Sequence, residues 1–282
     1  MSVVQIIILA AIQGLAELLP VSSSAHVILA QKLMGIDPSS PTMTFFLVML
    51  HTGTMFAVLL FFWSRWKKML INLKTSRLFL KAIVIATIVT GILGLSLKIF
   101  IEKVILETML GHSKGEVENL FKVLPLVSAA LFFVGLYIIY SGLKKNKKLK
   151  ENISSRDALF IGLTQGLSLP FRGFSRSGST ISTSLLLGFT RELAEEFSFA
   201  LAVVLTPPVI VLELRRLMKS ELPLHLDYVS LLKPGLIGMV FSFLFGLLAL
   251  KWLASWLEKG KWHYFGYYCV VLSIVAFVSS FI

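Results

Sequence analysis

Gln13-Gly-Leu-Ala-Glu17-Leu-Leu-Pro20-Val-Ser22-Ser23-Ser24-Ala-His26 interrupts an apolar run that begins at Val3. Within fourteen positions it places a carboxylate, a proline, three hydroxyls and an imidazole. Residues 3–19 are otherwise apolar except for Gln5 and Gln13, and Pro20 ends the helix they form because it has no amide hydrogen to donate. A second apolar piece, 27–34, is closed by Gly35 and the Asp37-Pro38 turn. Neither piece reaches the ~20 residues of a comfortable span. The pair therefore reads as a re-entrant helix–break–helix that enters and leaves on one side, its broken backbone tolerated only against protein or a water-filled cavity.

The rest of the chain places this break in a membrane. The 282 residues are 56% hydrophobic and 15% charged, with a mean hydropathy of +0.84; a soluble domain carries about 25% charged residues. Full apolar spans are expected at 45–63, 82–99, 124–140, 197–212, 234–250 and 264–277, with a polar connection at 102–122. The formal charge of +12 invites a nucleic-acid reading. The Lys and Arg, however, cluster between apolar segments, as juxtamembrane charge does, and leave no soluble basic groove. Pro207-Pro208 is expected to bend or shorten the fourth span. The single cysteine, Cys269, has no partner for an intrachain disulfide. The N-terminus lacks a basic n-region and does not read as a cleaved signal.

A second polar break, Gln165-Gly-Leu-Ser-Leu-Pro170-Phe-Arg172-Gly-Phe-Ser175-Arg176-Ser177-Gly178-Ser179-Thr180, divides the apolar pieces 158–170 and 181–189. Shifted by 152 positions, Gln13-Gly-Leu falls on Gln165-Gly-Leu and Ser23 on Ser175. The expected fold is all-α and polytopic: six transmembrane helices plus two re-entrant pairs, with halves 1–141 and 155–282 forming an inverted repeat within one membrane domain, 1–282. Such repeats bring broken helices together near the midplane of transporters, and the same geometry can build an enzyme site. In this topology the loops 64–81, 142–157, 190–196 and 251–263 share one side with 16 Lys/Arg, against 9 on the other. The richer side is expected to be cytoplasmic, so both termini and the site opening face outward.

Glu17 lies four residues after Gln13 and so shares a helical face with it. In apolar surroundings it is a base, a metal ligand or a structural hydrogen-bonding group. Ser22, Ser23 and Ser24 can cap the next helix, and the same hydroxyls and amides suit an anion. His26 sits where that helix restarts, as a candidate partner for a nucleophile. In the second break, glycines permit tight turns, while Ser175, Ser177 and Thr180 can donate to anionic oxygen. Arg176, with Arg172 as a second clamp, offers the planar fork that suits phosphate. This is neither a nucleotide loop nor a dinucleotide fingerprint.

Together these stretches resemble the undecaprenyl-diphosphate phosphatase family, the bacitracin-resistance type of integral membrane phosphatase. The residues that carry the likeness are Gln13, Glu17, Leu19-Pro20-Val21-Ser22-Ser23 and His26, then Gly173-Phe-Ser175-Arg176-Ser177 and Thr180. Leu50-His51-Thr52-Gly53-Thr54 and Glu196-Phe-Ser-Phe extend it. Arg172 stands where the family has proline, and Gln13 is its permitted variant of glutamate. The resemblance implies hydrolysis of a polyprenyl diphosphate to the monophosphate at the plasma membrane, recycling the lipid carrier of cell-wall synthesis. It implies a divalent cation, Mg2+ or Ca2+, with Glu17 as base or ligand. Ser23 and His26 become candidate nucleophile and proton-transfer partner, Arg176 the diphosphate holder, and Ser175, Ser177 and Thr180 its donors. It leaves oligomeric state open, a dimer included. The rival reading is a transporter or flippase for a phosphorylated lipid or solute, which needs coordination but no nucleophile. A non-catalytic scaffold leaves Glu17, His26 and Arg176 unexplained.

Overall fold

The computed structural model describes residues 1–37, 41–71, 73–101, 103, 124–144, 149–171, 173–219 and 228–280. Their regular structure is helical apart from one isolated β-bridge. In chain order the helices are α1 (Val3–Leu18), α2 (Ser23–Leu33), α3 (Pro41–Ile71), α4 (Leu73–Phe100) and α5 (Leu124–Leu143). There follow α6 (Ser155–Ser168), α7 (Arg176–Leu186), α8 (Arg191–Lys219), α9 (Tyr228–Glu258) and α10 (Trp262–Val278). Five of them, α3, α4, α5, α8 and α9, are long and apolar enough to cross a bilayer. α1 and α10 are shorter apolar helices. Apolar side chains such as Ile88, Ile92 and Leu95 on α4 or Leu244 and Leu248 on α9 stand exposed, as lipid-facing residues do. The protein is a polytopic all-α membrane protein.

Several helices outrun their apolar windows. α3 and α4 carry helix through most of the 64–81 stretch expected as a loop, since Arg and Lys at their ends can reach the interface. α8 continues through Pro207 and Pro208, and the Thr206 hydroxyl donates to the Ala202 carbonyl there, 2.7 Å away. The expected polar connection at 102–122 lies outside the described residues except Lys103.

The chain divides into two compact units. The first comprises Met1–Leu19, Ser23–Trp66 and Ala202–Ala254. Its core joins Ile6, Leu9 and Ala10 of α1, Val27 and Ala30 of α2, and Met43, Phe46 and Leu50 of α3, with Ile237 and Phe241 of α9 packed against them. Small residues at four-residue spacing on α9, Gly238, Ser242 and Gly246, let neighbouring backbones approach, as membrane helices require. At this contact Gly53 of α3 has no room for a Cβ beside Met239 and Ser242, and the Ser242 hydroxyl donates to the Leu50 carbonyl at 2.8 Å.

The second unit comprises Pro20–Ser22, Lys67–Leu201 and Ser255–Ile282. In it α4 packs on α6, α5 on α10 and α7, and α6 on α7. Trp262 is buried, its indole N–H donating to Ser141 Oγ and Ser182 Oγ at 3.0 and 3.2 Å. Lys150 pairs with Phe189 in the β-bridge, tying the segment before α6 to the end of α7.

Candidate active site

In the first unit the polar cluster grows from one helix face. α1 has helical spacing, so Gln13 and Glu17 lie one above the other, and Gln13 Nε2 donates to Glu17 Oε2 at 3.3 Å. The chain then turns through Pro20–Ser22. Ser22 holds a left-handed backbone at φ 67°, which a non-glycine residue adopts at a cost of about 1–2 kcal/mol. Strain of this kind concentrates at working sites. The turn frees the Pro20 carbonyl, which accepts from the buried Cys269 thiol at 3.4 Å.

α2 restarts at Ser23 and packs back on α1. Ser23 Oγ consequently donates to Glu17 Oε2 at 2.5 Å, the short distance of a hydroxyl hydrogen-bonded to a carboxylate. Glu17 is 17% exposed. A third helix joins: His51 Nδ1 of α3 stands 3.0 Å from Gln13 Nε2 and 3.8 Å from Glu17 Oε2. His26 and Ser24 occupy the first turn of α2 at half burial, His26 three residues beyond Ser23 and on its face of the helix.

In the second unit the corresponding break lies between α6 and α7. Gly173 takes φ 99° with its backbone pressed on the Val127 carbonyl, so only glycine fits. The second helical piece, expected over 181–189, already begins at Arg176 within the polar break. Ser175 caps it, its hydroxyl accepting from the Gly178 amide at 3.2 Å. Serine and threonine are accommodated in the helix because their hydroxyls donate to carbonyls one turn back: Ser179 and Thr180 to Arg176, Thr183 to Ser179 and Ser184 to Thr180. Ser175 and Ser177 are buried with their hydroxyls 3.4 Å apart. Arg176 is half-buried on the first turn, where the helix dipole and the guanidinium both favour an anion. Thr180 lies deeper, with its hydroxyl 2.6 Å from that of Ser198 on α8. Arg172 falls outside the described residues.

Gln165, the counterpart of Gln13, is bonded to a hydroxyl rather than an acid among the described residues. Its Nε2 donates to Thr90 Oγ1 at 3.0 Å, and Leu169 stands at the position that corresponds to Glu17. Among the described residues the acid–hydroxyl pair stands at the first break and the arginine helix start at the second.

The donors suit a hard divalent cation brought by a phosphate. Glu17, Gln13 and Ser23 offer oxygen, and magnesium is usually held by one or two carboxylates plus substrate phosphates. Among the described residues there is no group of three or more His, Cys, Asp or Glu that could make a protein-only cage.

A family model described as bacitracin resistance protein BacA matches residues 6–275. The chain belongs to the BacA family. Among BacA relatives, an undecaprenyl-diphosphatase 2 of Acinetobacter baylyi is 54% identical over 278 residues, 97% of this chain and 96% of that protein. An undecaprenyl-diphosphatase of Halothermothrix orenii is 34% identical over 282 residues, 99% of each chain. One from Korarchaeum cryptofilum is 33% identical, covering 97% of this chain and 98% of its own. Two residues that contact candidate site residues, His51 and Ser198, were not singled out as site residues from the sequence, although each falls in a segment that extends the family resemblance. The further signal for His51 was an imidazole in the middle of an apolar span.

Proposed function

We propose that this protein hydrolyses undecaprenyl diphosphate to undecaprenyl phosphate and inorganic phosphate, recycling the lipid carrier of cell-wall synthesis. Its BacA membership and the names of its relatives support the reaction. The observation that carries the chemistry is the Ser23–Glu17 hydrogen bond of 2.5 Å. A hydroxyl held on a carboxylate at a helix break is a nucleophile with its base, which a transporter of phosphorylated solutes does not need.

In this reading Ser23 Oγ attacks the terminal phosphorus as its proton passes to Glu17. The bond from that phosphorus to the bridging oxygen breaks, and undecaprenyl phosphate leaves with the electron pair. Water then attacks the phosphoserine, giving its proton to the His26 that protonated the leaving group, while Glu17 returns its proton to the Ser23 oxygen; phosphate and the serine hydroxyl are released. His26, one turn from Ser23, protonates the leaving oxygen. Arg176 holds the diphosphate with a two-pronged guanidinium, and Ser175, Ser177 and the α7 amides add donors. Ser22 and Ser24 flank the nucleophile; Arg172 is a second clamp; Thr180 props the α7 start through Ser198. Mg2+ or Ca2+, held by Glu17 and Gln13, would neutralise diphosphate charge when bound. The fold we propose keeps six crossings and two re-entrant pairs as an inverted repeat. It is a plasma-membrane arrangement with termini and site opening outward, supported by the excess of Lys and Arg on the opposite side.

The test is phosphate release from C55 polyprenyl diphosphate by the purified protein in detergent, with and without chelator, and rapid-quench mass spectrometry for the intermediate. A transient phosphate on Ser23 and loss of turnover in Ser23→Ala and Glu17→Gln are expected. An adduct on His26 would reassign the nucleophile, and substantial turnover by Ser23→Ala would end the serine mechanism.

A further inference from the structure

We propose that His51 is a positioning residue of the hydrolytic site. Its Nδ1 pairs with Gln13 Nε2 and thereby fixes the amide that orients Glu17 toward Ser23. The inference rests on the phosphatase reading and goes beyond it by assigning a third helix to the site.

Gln13 is 2% exposed and its amide nitrogen carries two hydrogens. One is directed at Glu17 Oε2, 3.3 Å away, and the other at His51 Nδ1, 3.0 Å away. A buried amide hydrogen without an acceptor is costly, so the pair of acceptors sets the rotation of the whole amide. An amide nitrogen only donates, so in this pairing His51 Nδ1 is the acceptor. The contact is not forced by burial of the imidazole, since its side chain is 42% exposed. Gln13 is the partner that needs it.

The α3 backbone is in turn well placed to aim His51. Gly53, two residues on, lies against α9, where Ser242 donates to the Leu50 carbonyl. Thr52 donates to the Val48 carbonyl at 2.8 Å and Thr54 to that of His51 at 2.9 Å. His51 therefore projects from a segment whose backbone is held against α9, as a group that supports a site must be. Glu17 Oε2 accepts from both Gln13 and Ser23. If the amide turns, the carboxylate loses one of these two partners, and with it the alignment that holds it on Ser23.

The experiment compares kcat and KM for phosphate release from C55 polyprenyl diphosphate by full-length protein in detergent. His51→Ala and Gln13→Met, which keeps volume but removes the amide, should each lower kcat on the order of 10-fold to 100-fold, as loss of supporting contacts does, with little change in KM. The double variant should lose no more than either single one, because both act through one chain of contacts. His51→Asn can place an acceptor oxygen where Nδ1 stands, without a titrating group, and should recover most of kcat. Should His51→Ala fail to accumulate, His51→Leu replaces it. Full activity in the variant lacking the acceptor, multiplying losses in the double variant, or His51→Asn as impaired as His51→Ala would each overturn the assignment. Absence of phosphate release by the unmodified protein would instead sink the phosphatase reading, and this proposal with it.

Discussion

Glu17 and Ser23 are six positions apart in sequence and 2.5 Å apart in space. In the proposed mechanism that contact makes the acidic residue of an apolar helix the base and Ser23 the nucleophile. Arg176 has the complementary character: a cation at a helix start, on the first turn after a serine cap. Lysine at that position keeps the charge but loses the planar fork. Arg176→Lys should therefore fold and insert yet lose ~2–4 kcal/mol of transition-state stabilisation, by analogy with removal of an essential oxyanion donor. The measurement is kcat/KM for phosphate release, with detergent gel filtration to confirm the fold. Near-normal turnover would take Arg176 out of the site.

At the scale of the element, α6 depends on a cap that can be titrated. Ser154 and Asp157 form a reciprocal capping box, the Ser154 hydroxyl and amide donating to Asp157 Oδ2 at 2.6 and 3.1 Å. Lys150 adds an ion pair at 2.9 Å. Burial acts to raise the Asp157 carboxyl, but the bonds from Ser154 and Lys150 outweigh it and hold its pKa below the usual carboxylate value. A depressed folded-state pKa contributes stability that is present in full above the unfolded value and is lost as pH falls through the folded one. Asp157→Asn should thus lower the thermal midpoint near neutral pH, and the gap to the unmodified protein should close as the solution is acidified below the ordinary carboxylate range. A gap that does not change with pH would show that the cap acts by shape alone.

For the whole molecule, the prediction is orientation. The proposed six crossings with outward termini follow from 16 Lys/Arg against 9. Ser2→Cys, in an otherwise cysteine-free protein carrying Cys269→Ala, should react with an impermeant maleimide added to intact cells. Labelling only after the cytoplasmic side is opened would reverse the orientation and remove the support for the inverted repeat.

The amino-acid sequence by itself determined the membrane, the two breaks and the candidate residues for chemistry. Each of these depends on local composition: apolar run length, a proline that stops a helix, or a four-residue spacing such as Gln13 to Glu17. The helix ends were less legible. α7 begins within the Gly/Ser/Arg stretch because Ser175 caps it and the serine hydroxyls bond back along the helix, interactions that hydropathy does not record. Only the tertiary structure decided that Ser23 meets Glu17, that His51 arrives from α3, and that Thr180 faces Ser198. Those contacts depend on how closely backbones approach, at Gly53 against α9 and in the left-handed turn at Ser22, and therefore on packing between segments far apart in the chain.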